Sequence, residues 1–306
     1  MEVWTQPTVV PPGVGVGPAI APDSYWLLRE GPELAYRALV DPVNARMTVK
    51  GLHFADAAAC AADLLRAARA HEVGKALLYV TEGQWRALLA RGFVLEGILD
   101  GFLHGAPAYL MGYVLEPDRL AADMVRADAA LEAALAAPPE PPPALPPGYT
   151  LVACGPEQAA VLAAVYRTVF TSFPAPVGDP EFLTALLGSD SAIFRAVLAP
   201  DGRVASVAAA ELDPEFAAAE LSDCATLSAC RGLGLMQVLL HALEAELDRR
   251  AVPVRFSVAR ATSFGMNRAL AKAGFAFRGR LRCNSHIMGS HEDMHLWVQP
   301  QHPAVH

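Results

Sequence analysis

The chain has 306 residues, of which 53% are hydrophobic, and a formal net charge of −8 at pH 7. This length can supply two globular domains, and the acidic charge speaks against nucleic acid or an anionic membrane as the main partner. We expect neither a membrane span nor a signal peptide, because no long unbroken apolar stretch and no basic N-terminal leader occur, and we therefore expect a cytoplasmic protein. Five scattered cysteines without a CxxC pair indicate reduced thiols rather than a disulfide or zinc framework.

The first half of the chain alternates strand-like and helix-like segments. Residues 1–22 are rich in Pro and Gly and predict a disordered tail. An α/β domain is predicted over 23–117. Its expected elements are two strand-like runs within 36–50, a helix at 55–70, a strand at 76–80, a helix at 82–90 and a hairpin at 93–103 and 108–115. Residues 118–148 predict a helix to 136 and then a stiff Pro-rich linker.

A second domain is predicted over 149–300, followed by a tail at 301–306. Asp179-Pro180-Glu181 is a helix start, since an Asp N-cap precedes Pro at the first helical position. The other expected elements are a helix at 156–168, a hairpin at 193–198 and 203–212, a strand at 217–227, a helix from 235, a strand at 254–259, a helix at 263–273 and a hairpin at 275–287 and 294–298.

A glycine loop, Arg231-Gly-Leu-Gly-Leu-Met236, lies between the predicted strand at 217–227 and the following helix. Two glycines permit a tight turn, and the free N–H groups of a helix start attract an anion such as phosphate. The loop lacks the Lys-Ser/Thr ending of a nucleotide P-loop and the third glycine of a dinucleotide fingerprint. By itself it is equally consistent with a plain tight turn.

An internal repeat links the two predicted domains. Seven of the eighteen residues in 87–104 recur 182 positions later, including Gly92-Phe93 as Gly274-Phe275 and Gly97 as Gly279. This predicts two copies of one fold, of which the first lacks the glycine loop and serves structure, dimerisation or substrate enclosure. Chance similarity in Ala/Leu-rich sequence is the alternative.

His291-Glu-Asp-Met-His295 matches the zinc-protease pattern HExxH, which requires both histidines on one face of a helix. Strand-like residues 296–298 follow it, and Pro300 comes five residues after His295. We therefore predict no metal site.

The order of elements, with Arg231-x-x-Gly234 in the loop, resembles the GNAT superfamily of acyl-CoA N-acyltransferases: strand, Arg-x-x-Gly-x-(small residue) loop, helix, strand, helix, Gly-Phe, hairpin. The resemblance implies a mixed α/β sheet in two tandem GNAT-like domains, with acetyl-CoA as the co-substrate of the second. It also implies a coenzyme site, in which Met236 departs from the small residue usual in the family and suggests a more open loop. The coenzyme-binding residues implied are Ala225, Thr226, Leu227, Arg231, Gly232, Leu233, Gly234, Leu235, Met236 and Asn267.

Acetyl transfer to an amine requires a base, because a free alkyl amine is almost entirely protonated at pH 7. The resemblance places that base on the strand before the loop, where Glu220 and Asp223 lie. Strand alternation predicts that these two acids face opposite sides of the sheet, so that only one enters the site. Leu270 stands where the family often has a tyrosine that protonates the departing thiolate, which leaves the general acid unassigned.

The segments 220–226, 231–235 and 259–267 further resemble β-lysine N6-acetyltransferases, as do 169–180 and 92–97. This implies a small diamino acid as the substrate, with Phe173 and Pro174 walling its alkyl chain, Arg260 holding its carboxylate, and Asn284 as a further substrate contact. A salt bridge is the alternative role for Arg260. The alternative functions are a coenzyme-binding but silent module, and a GNAT enzyme acting on a polyamine, peptide or protein amine. The sequence leaves the oligomeric state open between a monomer and a homodimer.

Overall fold

One mixed sheet of fourteen strands runs through the computed structural model, which describes residues 8–9, 23–120 and 123–300. The predicted tails at 1–22 and 301–306 lie outside these residues except for Thr8–Val9, which forms a two-residue strand, β1, in a stretch predicted to have none. No helix in the described part of the chain is long and apolar enough to cross a membrane.

The N-terminal half, defined as residues 25–114, confirms the predicted alternation and adds one strand at its start. The predicted helix at 55–70 begins at Ala57, because the Asp56 carboxylate caps it by accepting a hydrogen bond from Ala59 N (2.7 Å). The elements are β2 (Tyr25–Arg29), β3 (Leu34–Asp41), β4 (Arg46–Phe54), α1 (Ala57–Ala70), β5 (Lys75–Val80), α2 (Glu82–Leu89), β6 (Val94–Leu103) and β7 (Ala106–Val114).

The connecting segment, residues 115–149, contains a 3₁₀ turn at Pro117–Leu120 and α3 (Met124–Leu135), so the predicted helix over 118–136 is interrupted. The C-terminal half, residues 150–298, begins with a strand that the sequence reading missed. Its elements are β8 (Thr150–Ala153), α4 (Ala159–Val169), α5 (Pro180–Leu187), β9 (Ala192–Leu198), β10 (Val204–Asp213), β11 (Ala218–Thr226), α6 (Leu235–Arg249), β12 (Val254–Arg260), α7 (Phe264–Lys272), β13 (Ala276–Ile287) and β14 (Ser290–Val298).

The two halves follow the same path through the sheet. The strand order is β1-β2-β3-β4-β5-β7-β6 in the first half and β13-β14-β12-β11-β10-β9-β8 in the second. In each, three antiparallel strands lead into a helix and a strand parallel to the third, and a second helix leads into a closing hairpin. The hairpins carry register shifts at equivalent positions, Leu95/Gly97 and Phe277/Gly279, which lie 182 residues apart.

The halves join where β6 pairs with β13, at Gly97 opposite Gly279. A Cβ on Gly279 would lie 2.1 Å from Glu96 O, so only glycine permits the two backbones to approach this closely. Beside this contact the fully buried Lys75 donates from Nζ to Glu96 Oε2 (2.6 Å) and to Arg282 O (2.5 Å). The two glycines that meet are the same position of the internal repeat.

The described residues form four apolar clusters. One lies in the N-terminal half under α1 and α2. Two lie in the C-terminal half, one containing residues of α6 and α7 and the other residues of α4 and α5. The fourth crosses the junction and contains Phe102 from one half and Phe256 from the other. Because this cluster contains residues of both halves, the two halves pack against each other through a shared apolar core.

Candidate active site

The parallel strands β11 and β12 separate along their length. Their pairing extends over three residue pairs and ends at Glu220 opposite Phe256. One residue further, Ser257 Oγ still donates to Leu221 O (2.7 Å). Beyond this point no further residue pair joins β11 to β12 among the described residues, so a gap opens along this edge of β11.

The glycine loop lies at the end of this gap. Gly232 and Gly234 have φ angles of +79° and +72°, and Gly234 is the N-cap of α6. The first helical hydrogen bond runs from Val238 N to Gly234 O, so the preceding N–H groups of the helix have no acceptor inside it. A Cβ built on Gly232 would meet no atom within 4 Å. This is the open, N–H-lined turn that an anion requires.

Part of the Pro-rich linker covers the start of α6. Gln237 Nε2 donates to Glu140 O (3.0 Å) and Pro141 O (3.1 Å), while Glu140 N donates to Lys272 O (2.8 Å). A Cβ on Gly234 would lie 2.6 Å from Pro143 Cγ. The linker is therefore fixed against both α6 and α7 and forms one side of the loop.

A cavity of about 1330 Å³ extends from this loop to the N-terminal half. Its walls include the predicted residues Glu220, Asp223, Thr226, Arg231, Gly232, Gly234, Leu235, Met236, Phe173, Pro174, Arg260 and Asn284. Residues of the N-terminal half complete it, among them Trp26, Asp41, Arg46, Lys50 and Tyr79. Ala225, Leu227, Leu233 and Asn267 do not line it.

Both predicted acids of β11 face this cavity, which corrects the expectation that strand alternation separates them. The β10–β11 register shifts between Val207 and Ala209, where β11 carries one extra residue. Asp223 lies in this bulge with a φ of +49°, and Tyr166 Oη donates to its carbonyl oxygen (2.9 Å). A bulge re-aims the side chains that follow it, so Asp223 joins Glu220 on one wall.

Burial makes these carboxyls hard to ionise. Burial and the neighbouring Glu211 raise the pKa of Glu220 to about 8. Burial, Glu211 and Glu220 together raise the pKa of Asp223 well above its ordinary value. Asp223 Oδ2 is buried and has no hydrogen-bond partner in the described part of the chain. A cation brought into the cavity would supply that missing partner.

The backbone of 225–227 divides between the two edges of β11. Leu227 N donates to Ala205 O (3.0 Å), and Ala225 lies opposite Val207 in the same ladder. Since alternate residues of a strand point their N–H groups to the same side, Thr226 N–H faces the gap while the other two face β10. The coenzyme contacts predicted for Ala225 and Leu227 are therefore corrected, because their N–H groups face β10, Ala225 O accepts from Ser206 Oγ, and neither residue lines the cavity. The contact of Thr226 stays a prediction.

Asn267 is fully buried, and its side chain is occupied by the protein. Its Nδ2 donates to Arg260 O (3.0 Å) and Ser263 O (2.8 Å), and its Oδ1 accepts from Trp297 Nε1 (2.9 Å). Arg280 Nε donates to His295 Nε2, so the His295 Nδ1 proton also goes to Asn267 Oδ1 (2.9 Å). With all four hydrogen-bonding positions used, the predicted contact of Asn267 with the coenzyme is wrong, and the residue instead fixes α7 on the sheet.

Arg260 lines the cavity but already holds a carboxylate. Its Nε and Nη2 donate to the two oxygens of Glu292 (2.8 and 2.5 Å), and Thr262 Oγ1 donates to the same group (3.1 Å). The predicted bidentate pair therefore exists within the protein, and the salt-bridge alternative is the correct one.

Phe173, Pro174 and Asn284 reach the cavity as predicted. Phe173 packs against Phe170, with ring centroids 4.7 Å apart, and so presents an apolar wall. Asn284 is buried, and its Oδ1 has no partner among the described residues. Met236 packs partly against the core under α6 rather than across the loop.

The HExxH pattern forms no helix. His291 and His295 both lie in β14, where residues four apart are about 13 Å apart along the strand. His291 Nε2 contacts Asn44 O, and burial lowers the pKa of both histidines to about 4. The paired ligand geometry of a zinc protease is absent at this site.

The sequence reading missed the polar residues that the N-terminal half contributes. Arg46 Nη1 donates to Asn284 O (2.8 Å), and Lys50 Nζ donates to Asp213 Oδ2 (2.8 Å). Both belong to β4, which lies beside the C-terminal half only because the sheet is continuous across the junction. Their only sequence signal was the internal repeat, which predicts a second copy of the fold in this half but does not predict that its β4 side chains reach the site.

Comparison with known proteins places the chain in a family. It is 30% identical over 238 residues to N-acetyltransferase YodP of Bacillus subtilis strain 168, covering 78% of this chain and 86% of that protein. The chain belongs to the GNAT N-acetyltransferases. As a member of this group it is an acyltransferase that acts on an amino group. No family model matches the sequence.

Two further comparisons are narrower. The GNAT chain is 35% identical over 155 residues to a β-lysine N6-acetyltransferase of Methanosarcina mazei, covering 51% of this chain and 56% of the relative. Among solved structures, the ribosomal-protein-S5-alanine acetyltransferase of Vibrio fischeri superposes on 50% of this chain and 93% of its own, at 14% identity and a TM-score of 0.44.

Proposed function

We propose that this protein transfers the acetyl group of acetyl-CoA to the side-chain amine of β-lysine or a related small diamino acid. The observation that carries the proposal is the placing of Glu220 and Asp223 on one wall of a cavity that begins at the glycine loop. The M. mazei relative, named as a β-lysine N6-acetyltransferase, supports this choice of acceptor.

The glycine loop fits the pyrophosphate of the coenzyme. Gly232 leaves open space at the turn, and the unpaired N–H groups at the start of α6 supply donors and a positive dipole end. Thr226, on the free edge of β11, would pair with the pantetheine arm. That arm would direct the thioester into the gap between β11 and β12 and toward the two carboxylates.

Glu220 is the proposed base. A pKa of about 8 brings it closer to the amine, whose ordinary value is about 10.4, than an exposed carboxyl could be. Glu220 takes one proton from the substrate ammonium, and the free amine then forms the C–N bond at the thioester carbonyl. When the C–S bond breaks, the second amine proton passes to the departing sulfur, so no separate acid is required in place of the tyrosine replaced by Leu270.

Asp223 is proposed to hold the reacting amine. Its buried, unpartnered Oδ2 belongs to a group of carboxyls with Glu211 and Glu220, which raise its pKa. An ammonium group placed beside these carboxyls favours their ionised forms and would pair with them. The alkyl chain of the acceptor would lie against Phe173 and Pro174.

We also propose that the two halves are copies of one GNAT fold, with a single coenzyme site in the second. The shared strand order, the equivalent register shifts and the meeting of Gly97 with Gly279 support this. The first copy then encloses the acceptor.

Thiol release from acetyl-CoA tests the function, with β-lysine, lysine, polyamines and a peptide amine as acceptors. We expect turnover to be fastest with β-lysine or another diamino acid. Preference for a polyamine or a peptide would reassign the acceptor. Tight coenzyme binding without turnover on any amine would show a silent module and end the proposal.

A further inference from the structure

The cavity contains a guanidinium group that the proposed chemistry does not use. Arg46, at the start of β4, lines the same cavity as Glu220 and Asp223 although it belongs to the other half of the molecule. Its side chain is 18% exposed, so its charge is largely removed from water. A buried charge of this kind needs partners, and those of Arg46 are incomplete.

Arg46 uses few of its donors on the protein. Nη1 donates to Asn284 O (2.8 Å), and Nη2 lies at a long 3.5 Å from Asp41 Oδ2. Nε is buried and has no partner among the described residues. An arginine has five N–H donors in a planar fork, so this side chain can still donate hydrogen bonds to a carboxylate.

The partner carboxylate of Arg46 is itself committed elsewhere. Asp41 accepts from Asn44 N (3.0 Å) at one oxygen and from Asn44 Nδ2 (2.5 Å) at the other. Arg260, by contrast, makes two short bonds to both oxygens of Glu292. Of these two arginines on the cavity wall, Arg46 is therefore the one with donors to spare.

The other cationic residues on the wall belong to other elements: Arg126 to α3, Arg231 to the glycine loop, and Arg268 and Lys272 to α7. The part of the wall formed by β10 and β11 carries carboxyl groups. Glu211, Asp213, Glu220 and Asp223 line the cavity, and Lys50 is already paired with Asp213. The Arg46 charge is close enough to Glu220 to lower the pKa of that carboxyl against the effect of burial. A ligand that carries ammonium groups and one carboxylate matches this distribution, whereas a simple polyamine leaves Arg46 unmatched.

We infer that Arg46 binds the carboxylate of the acceptor, so that the N-terminal half selects amino acids over simple amines. This inference rests on the proposed function and names the group that reads the acceptor's acid end. Asn284 holds the guanidinium through its carbonyl oxygen and offers its free Oδ1 to the nearby ammonium group.

The test compares β-lysine with pentane-1,4-diamine, which has the same skeleton without the carboxylate. For the wild type we expect a much higher kcat/KM with β-lysine. Arg46→Gln should raise the KM for β-lysine about 10- to 100-fold more than the KM for the diamine, the range for a charge-assisted hydrogen bond, whereas its effect on the pKa of Glu220 acts on both substrates alike. Arg46→Lys should fall between, since it keeps the charge but not the fork.

Controls separate binding from folding. Arg278→Gln removes another arginine that bridges the halves, through Asp100 (2.6 Å), outside the cavity, and should leave both substrates unchanged. The melting temperature and coenzyme affinity of each variant show whether it is folded; if Arg46→Gln is not, the Arg46→Lys ratio decides. Equal losses for both substrates, or a wild type that prefers the diamine, would overturn the inference. A wild type inactive on every diamino acid would instead overturn the proposed function.

Discussion

The bulges in β4 and β11 occupy the same place in the two halves but are built from different residues. In each, the partner strand advances two residues while the bulged strand advances three, at Ala35/Arg37 and at Val207/Ala209, which lie 172 positions apart. The residue in the left-handed conformation is Gly51 in the first half and Asp223 in the second. Glycine adopts this conformation without strain, whereas aspartate does so at a cost. The strained version occurs in the half that holds the glycine loop.

The helices that follow β4 and β11 also begin differently. Two residues separate β4 from α1, and the Asp56 carboxylate occupies the helix start. Eight residues separate β11 from α6, and Gly234 leaves the helix start without a side-chain cap. A carboxylate at the first site takes the N–H groups that a phosphate would use. If the halves are copies of one fold, as proposed, a few residues at two positions decide whether a copy can bind the coenzyme.

Exchanging the bulge residues should produce the largest effect. Asp223→Gly removes the carboxyl group proposed to hold the amine, and we expect kcat/KM to fall about 100-fold or more. The same change removes backbone strain and an unpartnered buried carboxyl oxygen, so the melting temperature should rise by about 2 to 4 °C. Steady-state kinetics and thermal unfolding measure the two effects.

The reciprocal variant, Gly51→Asp, is the matched control. It introduces the strain in the first half, so we expect a lower melting temperature and unchanged kinetics. A large kinetic effect of Gly51→Asp, or retained activity in Asp223→Gly, would remove the functional meaning of the comparison.

The pH dependence tests the role of Glu220. A base must be unprotonated to accept a proton from the amine, so kcat/KM should fall about tenfold per pH unit below the Glu220 pKa of about 8. In Glu220→Gln the fall of kcat/KM below about pH 8 should disappear. The increase of kcat/KM with pH should then occur near the pKa of the amine, about 10.4. If the pH dependence of kcat/KM is the same in Glu220→Gln as in the wild type, a group other than Glu220 causes it.

Stability should follow the same carboxyl. The folded pKa lies above the unfolded one, so the neutral form favours folding and this contribution is lost as the pH rises from about 4.5 through about 8. Glu220→Gln should therefore be more stable than the wild type at pH 9 and equally stable at pH 4, as thermal unfolding would show.

The glycine loop gives a smaller and more specific effect. A methyl group on Gly232 meets no protein atom, so Gly232→Ala should weaken coenzyme binding about tenfold by crowding the ligand and straining the turn. Gly202→Ala is the control, because Gly202 has a similar φ (+81°), also lies in open space and is far along the chain in the β9–β10 turn. Calorimetry should find equal coenzyme affinities for Gly202→Ala and the wild type. If both variants bind the coenzyme more weakly, the cause is lower stability of the protein rather than contact at the glycine loop.

The smallest effect is expected at α1. Asp56→Ala removes the N-cap and should lower the free energy of unfolding by about 1 kcal/mol without changing the KM for acetyl-CoA. Asp123→Ala, which uncaps α3 where Asp123 accepts from Arg126 N (3.0 Å), should cost about the same. Calorimetry should give one coenzyme per chain for each variant and the wild type. Two coenzymes per chain in any of them would contradict the assigned difference between the halves.

The sequence predicted most elements to within a few residues, because helix caps, glycine turns and apolar periodicity are local signals. The loop at 231–236 and the repeat at 87–104 were visible for the same reason. The orientation of Asp223 was not, because a bulge is a property of two paired strands. The partner of Arg260, thirty-two residues away, and the reach of Arg46 into the site likewise depend on how the sheet continues.

The glycine contact between β6 and β13 also has a consequence for the length of acceptor that the proposed site could bind. Because the sheet passes from one half into the other at Gly97 and Gly279, rotation of one half against the other would break strand pairing. The distance between the wall that holds Arg46 and the wall that holds Asp223 is therefore fixed by the sheet rather than by a hinge. If Arg46 and Asp223 bind the two ends of the acceptor as proposed, an acceptor longer or shorter by one methylene group would fit only one of them, and the rigid sheet would set the preferred chain length.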